Sequence, residues 1–319
     1  MPMIEIDETT LDANETFGTG DSWRIPAFRE PSEHVPATDP NFCFLEAPTR
    51  AILLGFAHNR RVYLHGPHGS GKSSHIEQVA ARLNWPCIRL NLDGHITRSD
   101  LIGRDMVVLR KGQQVTEFVP GILPWALERP VALVLDEYDA ARPDVMFVIQ
   151  RLLEDEGKLT LLDQNRVIQP HPAFRIFATA NTAGQGDVSG LYAGTQVLNQ
   201  AQMDRWQVFV EFDYPPEEQE AQIVCNRVNT LAMSVSRDMV CFANLCREAH
   251  RHGDLSVLVS LRTLIIWAET MDLDISTAEA LQLSLLNRCD PSERDLVAEL
   301  YQRAFGEELE LRQADRAIF

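Results

Sequence analysis

The 319-residue sequence predicts an α/β core on a five-stranded parallel sheet with β-hairpin insertions, followed by an all-α domain. Three observations carry this fold class. The short apolar run Arg61-Val62-Tyr63-Leu64-His65 opens into Gly66-Pro67-His68-Gly69-Ser70-Gly71-Lys72-Ser73, of the form G-x-x-x-x-G-K-S, and a helical pattern follows from His75. The run Val131-Ala132-Leu133-Val134-Leu135 is apolar throughout and ends in Asp136-Glu137, as does a strand in the middle of a parallel sheet covered on both faces. Beyond Asp213-Tyr214-Pro215-Pro216 every pattern is helical.

Taken in order, residues 1–45 mix acidic, proline and aromatic residues without sustained periodicity. They suggest an extended N-terminal arm whose Trp23, Ile25, Pro26, Phe28, Val35, Phe42 and Phe44 dock on a larger body, while the first dozen residues equally suit a loosely ordered tail. The core is expected over 46–214. Ala51–His58 reads as a short helix before the first strand. After the glycine-rich loop, Ile76, Val79, Ala80 and Leu83 fall on one helical face, and Cys87–Asn91 is a second strand. Two β-prone runs flanking Lys111-Gly112 predict a hairpin over about 105–118, and Ile122–Glu128 looks helical. Pro143 suits the first turn of the helix after Asp136-Glu137, with Val145, Val148, Ile149, Leu152 and Leu153 as its apolar stripe. Lys158–Leu162 and Arg166–Gln169 flank a second hairpin turn. Phe174–Ala180 and Trp206–Phe212 complete the five strands. The remainder, 215–319, reads as a helical lid domain with helices near 217–230, 237–251, 258–270, 277–288 and 292–305.

Composition narrows the function classes. Hydrophobic residues at 45% supply ample core for a soluble globular protein. A net charge of −17 disfavours a broad nucleic-acid or anionic-membrane surface, which would run on Lys and Arg. The six cysteines form no C-x-x-C pair, so they read as reduced thiols rather than as a disulfide framework or zinc site. The N-terminal residues lack the pattern of a secretory signal and no apolar stretch is long enough to span a membrane, so a cytoplasmic protein is expected.

The chemistry starts at the loop. Its backbone N–H groups, from Gly66, His68, Gly69, Ser70, Gly71 and on to Ser74, can turn inward around a phosphate. Lys72 would place an ammonium on the β/γ-phosphates of ATP, and the Ser73 hydroxyl can hold Mg²⁺. Asp136 would hold the same Mg²⁺ through water, and Glu137 would polarise the attacking water as general base. Asn181, ending the fourth strand, is placed to position that water, although an isolated Asn there also suits a turn. Arg205 in Asp204-Arg205-Trp206 and Arg262 in Ser260-Leu261-Arg262 could each be offered to a γ-phosphate. From spacing alone, most arginines are surface or salt-bridge residues. His65, His68 and His75 lie around the loop in sequence and read as its surroundings rather than as a metal site.

Together these motifs resemble those of the AAA+ ATPases. The two hairpins sit where the clade of MoxR proteins, magnesium-chelatase ATPase subunits and McrB carries insertions, and Asp204-Arg205-Trp206 resembles that clade's L-D-R-F element with Trp for Phe. Longer runs are more specific. Gly55–Arg61, Ile76–Cys87, Asp136–Ala140, Arg142–Arg151, Phe177–Thr182 and Asn199–Trp206 resemble the ATPase (S) subunits of aerobic cobaltochelatases, as do Phe17-Gly18 and Ile25–Phe28. The resemblance runs from about residue 15 to about 306. It implies Walker A at Lys72 and Ser73, Walker B at Asp136 and Glu137, sensor 1 at Asn181, an arginine finger acting on the neighbouring subunit at Arg205, and sensor 2 at Arg262. One departure is Leu261, where the family pattern has Pro.

The implied function is ATP hydrolysis by a homo-oligomeric ring, a hexamer or other closed ring, which drives insertion of Co²⁺ into hydrogenobyrinic acid a,c-diamide by changing the angle between core and lid. The implied partners are a large cobalt-inserting subunit and an adaptor subunit with a von Willebrand type A domain. A MoxR-like remodelling factor with another client is the alternative. A nucleic-acid motor is opposed by the net charge, and a non-hydrolysing ring by the intact Glu137.

Overall fold

The computed structural model describes residues 8–186, 194–228 and 230–309. The chain divides into two compact units, one built on residues up to Phe212 and one on residues from Asp213, with 40–43 and 68–71 grouped with the second.

In the first unit, β1 (Glu8–Asp12) and β2 (Arg24–Phe28) pair antiparallel. Next come β3 (Val62–His65), β4 (Cys87–Asn91), β5 (Gly103–Arg110), β6 (Gln113–Pro120) and β7 (Ala132–Asp136). The last strands are β8 (Leu159–Leu161), β9 (Arg166–Ile168), β10 (Arg175–Ala180) and β11 (Val208–Glu211). The central sheet has five strands in the order β11-β3-β10-β7-β4, all neighbours parallel. The two expected hairpins are present as β5–β6 and β8–β9. The first turns at Lys111-Gly112, both at positive φ, where Gly is the residue that adopts such a conformation without cost.

Both faces of the central strands are covered, and side chains alternate between two separate cores along β3, β7 and β10. Leu133 and Leu135 of β7, Ile176 and Ala178 of β10 and Tyr63 of β3 join one core. Ala132 and Val134, Phe177, and Val62 and Leu64 join the other. A period of two with apolar residues on both faces is why these strands read as unbroken apolar runs.

Residues 8–28, read from the sequence as extended, form β1, a short helix Ala13–Phe17 and β2, seated on the second of these cores through Phe17, Ile25, Ala27 and Phe28. Asp12 caps the helix, accepting from Asn14 N–H at 2.9 Å and Glu15 N–H at 3.1 Å. Phe28 N–H donates to Leu83 O and Asn84 Nδ2 to Phe28 O, both at 2.9 Å, so β2 is fastened to the end of helix Lys72–Arg82.

The second unit is helical, with helices Glu217–Arg227, Met233–His252, Leu261–Met271, Thr277–Ser284 and Arg294–Phe305 around Phe242, Trp267 and Tyr301. A buried ion pair braces three of its segments. Arg247 donates to both carboxylate oxygens of Glu220, at 2.8 and 2.6 Å, and through Nε to Val259 O at 2.8 Å. Glu220 and Arg247 lie on two successive helices, and Val259 leads into the third. No helix among the described residues is long and apolar enough to cross a membrane.

Helix Glu46–His58 lies against β3 and β10 with Gly55 at the contact. A Cβ there would lie 2.6 Å from the Phe177 ring and 2.9 Å from Val62 Cγ2. Gly55→Ala should therefore destabilise the first unit by about 1–3 kcal/mol through overpacking, read as a lowered thermal or urea midpoint. An unchanged midpoint would mean that the contact yields without cost.

Candidate active site

The carboxyl ends of β3, β10 and β7 lie side by side, since β10 is hydrogen-bonded to both neighbours. In register, His65 pairs with Ala180, and Ala178 with Leu135. The glycine-rich loop leaves β3, Asn181 leaves β10, and Asp136-Glu137 ends β7. Topology thus gathers three stretches that are 44 or more residues apart in sequence. Ligands in open α/β sheets collect at this edge.

Within the loop, Gly66, Gly69 and Gly71 have φ of 152°, 71° and 101°, where a side chain is strained. At Gly66 a Cβ would also lie 1.9 Å from Phe212 O, so only glycine fits. Ser70 and Lys72 are buried, while His68 and Ser74 are exposed. Lys72 Nζ donates to Gly66 O at 2.8 Å and Pro67 O at 2.9 Å, and lies 3.4 Å from Asn181 Oδ1. The ammonium therefore sits inside the loop's curve with Asn181 beside it.

Asp136 is held from both sides. Its Oδ1 accepts from Ser73 Oγ at 2.9 Å and from Thr179 Oγ1, and its Oδ2 from Arg89 Nε at 2.6 Å and from Arg89 Nη2. Burial works to raise the Asp136 pKa, but the hydroxyl bonds and the Arg89 guanidinium hold the carboxyl below its usual range. Glu77, one helical turn after Ser73, is pushed up by its own burial and by Asp136, against Arg89. Glu137 takes a left-handed backbone at φ 55°, a conformation that costs a non-glycine residue about 1–3 kcal/mol and that aims it out of the strand direction.

These residues fit the expected cofactor. A loop with three glycines at positive φ can turn its N–H groups onto a phosphate, and a Ser hydroxyl touching a carboxylate oxygen is a hard-oxygen pair suited to Mg²⁺. Among the described residues no three His, Cys, Asp or Glu side chains form a metal-binding group. His75 is buried against Phe44 and Phe212 and contacts Thr49 Oγ1 at 2.7 Å. The Thr49 hydroxyl donates to Leu45 O at 2.7 Å, so the His75 Nε2 is the donor in that contact.

The two arginines occupy different places in the fold. Arg205 precedes β11, at the amino edge of the sheet. Its backbone carbonyl accepts from Arg61 Nε at 2.8 Å, its Nη1 donates to Ala201 O, and its Nη2 lies 3.8 Å from Glu154. The strands separate this edge from the phosphate loop by roughly 15 Å. Arg262 is the second residue of helix Leu261–Met271 in the helical unit, exposed and with no ion pair among the described residues. Leu261, in place of the family's Pro, costs the helix no cap: Ser260 accepts from Thr263 N–H at 3.2 Å. The sequence reading missed Arg89, Thr179 and Asp139. Its available signals were an arginine inside the strand run Cys87–Asn91 and a second acid three residues after Asp136.

Residues 61–196 match the model of the AAA domain (dynein-related subfamily), and residues 220–302 that of the CbbQ/NirQ/NorQ C-terminal region. Over 318 residues the chain is 55% identical to the aerobic cobaltochelatase subunit CobS of a Sinorhizobium species, which covers 97% of this chain and 96% of that one. The chain belongs to the CobS family. Within the wider group, the CobS-family chain is 28% identical to the protein CbbQ of Hydrogenophilus thermoluteolus over 80% of its own length and 90% of the relative's. A RuvB mutant from Thermotoga maritima superimposes with a TM-score of 0.51 over 84% of this chain and 73% of that one at 14% identity, a likeness of fold. The family resemblance and the α/β fold read from the sequence hold, and the CobS-family chain is an AAA-type ATP-dependent enzyme.

Burial pushes His75 down to about 3. Its folded pKa is thus below its unfolded value near 6.5, so the unfolded chain takes up a proton that the folded one refuses as pH falls between these limits. Stability should fall by about 1–2 kcal/mol from this group between pH 7 and 5.5. Denaturant melts at both pH values should show that loss in the natural chain and a smaller one in His75→Gln. Equal losses in the two chains would assign the pH dependence to other groups.

Proposed function

We propose that this chain is the ATP-hydrolysing ring subunit of an aerobic cobaltochelatase, whose turnover drives insertion of Co²⁺ into hydrogenobyrinic acid a,c-diamide. The observation that carries the proposal is 55% identity to a CobS protein across 97% of the chain, with the loop, Asp136, Glu137 and Asn181 gathered at one sheet edge.

ATP would lie with its phosphates in the loop, contacted by backbone N–H groups of Gly66–Ser74 and by Lys72, whose present bonds to Gly66 and Pro67 carbonyls show how far it reaches. The amino end of helix Lys72–Arg82 adds favourable potential there. Mg²⁺, held by Ser73 Oγ and through water by Asp136, would neutralise charge developing on the phosphates. Glu137 takes the proton of the attacking water, Asn181 orients that water beside Lys72, and Arg262 of the helical unit contributes a charge to the phosphates. Arg205 faces away from its own loop, so it serves a neighbour, and a closed hexameric ring satisfies every finger. The ring passes its motion to a large cobalt-inserting subunit through an adaptor with a von Willebrand type A domain. Six free cysteines suit a cytoplasmic setting.

Two experiments test this reading. Mixing the chain with the large and adaptor subunits, Co²⁺, ATP and the corrin should give metal insertion that ceases when the chain is omitted. Full insertion without it would remove it from the reaction. Arg205→Ala should lower ATP turnover about 10³-fold or more, as should Lys72→Ala. An equimolar mixture of the two inactive chains should regain turnover, because a hybrid ring pairs an intact loop with an intact finger. A mixture that stays inactive would place Arg205 outside its neighbour's site.

A further inference from the structure

Asp139 lies in the single 3₁₀ turn Tyr138–Ala140 that follows Glu137. Its side chain is wholly buried. One oxygen, Oδ2, accepts three hydrogen bonds: from Asn181 N–H at 3.1 Å, from Thr182 N–H at 2.9 Å and from Thr182 Oγ1 at 2.8 Å. The other, Oδ1, is buried without a partner among the described residues. A carboxylate removed from water persists only where donors replace its hydration, and here every side-chain bond comes from one turn, the exit of β10. The same turn is held from its other side by Tyr63, whose hydroxyl donates to Thr182 O at 3.1 Å. Asp139's own carbonyl accepts from Gln196 N–H at 2.8 Å, which ties in the chain returning toward Arg205.

Asp139 therefore joins two turns that leave adjacent strands. One carries Glu137 in its left-handed conformation and the other carries Asn181 beside Lys72. The hydrogen bonds of Ser73, and those of Lys72 to its loop carbonyls, do not involve Asp139. We infer that Asp139 is a positioning residue for hydrolysis, fixing Asn181 relative to Glu137 while leaving the binding of nucleotide to the loop. This rests on the reading of Asn181 as the group that orients the attacking water. A misplacement of about 1 Å in such a group costs up to about 100-fold in rate.

The test uses the full chain, with steady-state ATP turnover and binding of a fluorescent ATP analogue measured separately. Asp139→Ala should lower kcat about tenfold or more, with KM and the analogue's Kd within about twofold of the natural chain. Asp139→Asn, whose amide oxygen can take the place of Oδ2, should retain more of kcat than the alanine variant. In an Asn181→Ala background, either substitution should lower kcat by less than about twofold further, since the group through which Asp139 acts is already gone. The same fractional loss in both backgrounds, or a fall in kcat matched by weaker analogue binding, would overturn the inference. Should Asp139→Ala fail to give a folded chain by circular dichroism, Asp139→Asn in the two backgrounds decides by the same criterion. If Asn181→Ala alone keeps full turnover, the assignment of Asn181 fails and takes this inference with it. An additive loss defeats only the inference.

Discussion

Everything at the candidate active site depends on the parallel pairing of β10 between β3 and β7. In a parallel sheet the strands point the same way, so their carboxyl ends share one edge. A strand inserted between two others also brings its own exit between theirs. Asn181 consequently falls between the Lys72 loop and the Asp136-Glu137 turn without any special loop to carry it there. The pairing is protected by burial: each of the three strands contributes side chains to both cores, so a slip of one residue would exchange the two sets.

The edge so formed concentrates charge at short range. Arg89, Asp136 and Glu77 interact within it, and the bonds around Asp136 fill both of its oxygens. An acid so fully bonded is kept ionised and in one rotamer, the state in which its oxygens serve a hard cation. Glu137, by contrast, is only partly buried and leaves the strand in a left-handed turn. Adjacent acids thus have separate surroundings, one locked and one free to meet water.

Much of this was legible in the sequence. The loop is a local motif whose spacing carries its own geometry, and the buried strands are recognisable because both of their faces are apolar. The helices of the second unit followed from their period, with ends displaced by a few residues where 3₁₀ turns replace the last α-turn, as at Leu286–Arg288. Residues 8–28 were harder. Strands of five residues, one of them containing Pro26, and a helix of five give no period long enough to read, and their structure comes from seating on a core made of distant residues. Arg89, Thr179 and Asp139 were harder to read for a related reason: each acts through a partner 42 or more residues away in sequence. The opposite placement of Arg205 likewise became visible only once β11 was set beside β3.

The Glu220–Arg247 pair in the helical unit bears on how this family can change over time. With both residues buried, an alteration of either one strands a charge away from water at a cost of about 3–5 kcal/mol, while replacing both with apolar groups is often neutral. Descent by single substitutions must therefore cross an unstable intermediate to lose the pair. Once acquired, such a brace behaves as a ratchet, because each single step away from it is uphill whatever its own net strength.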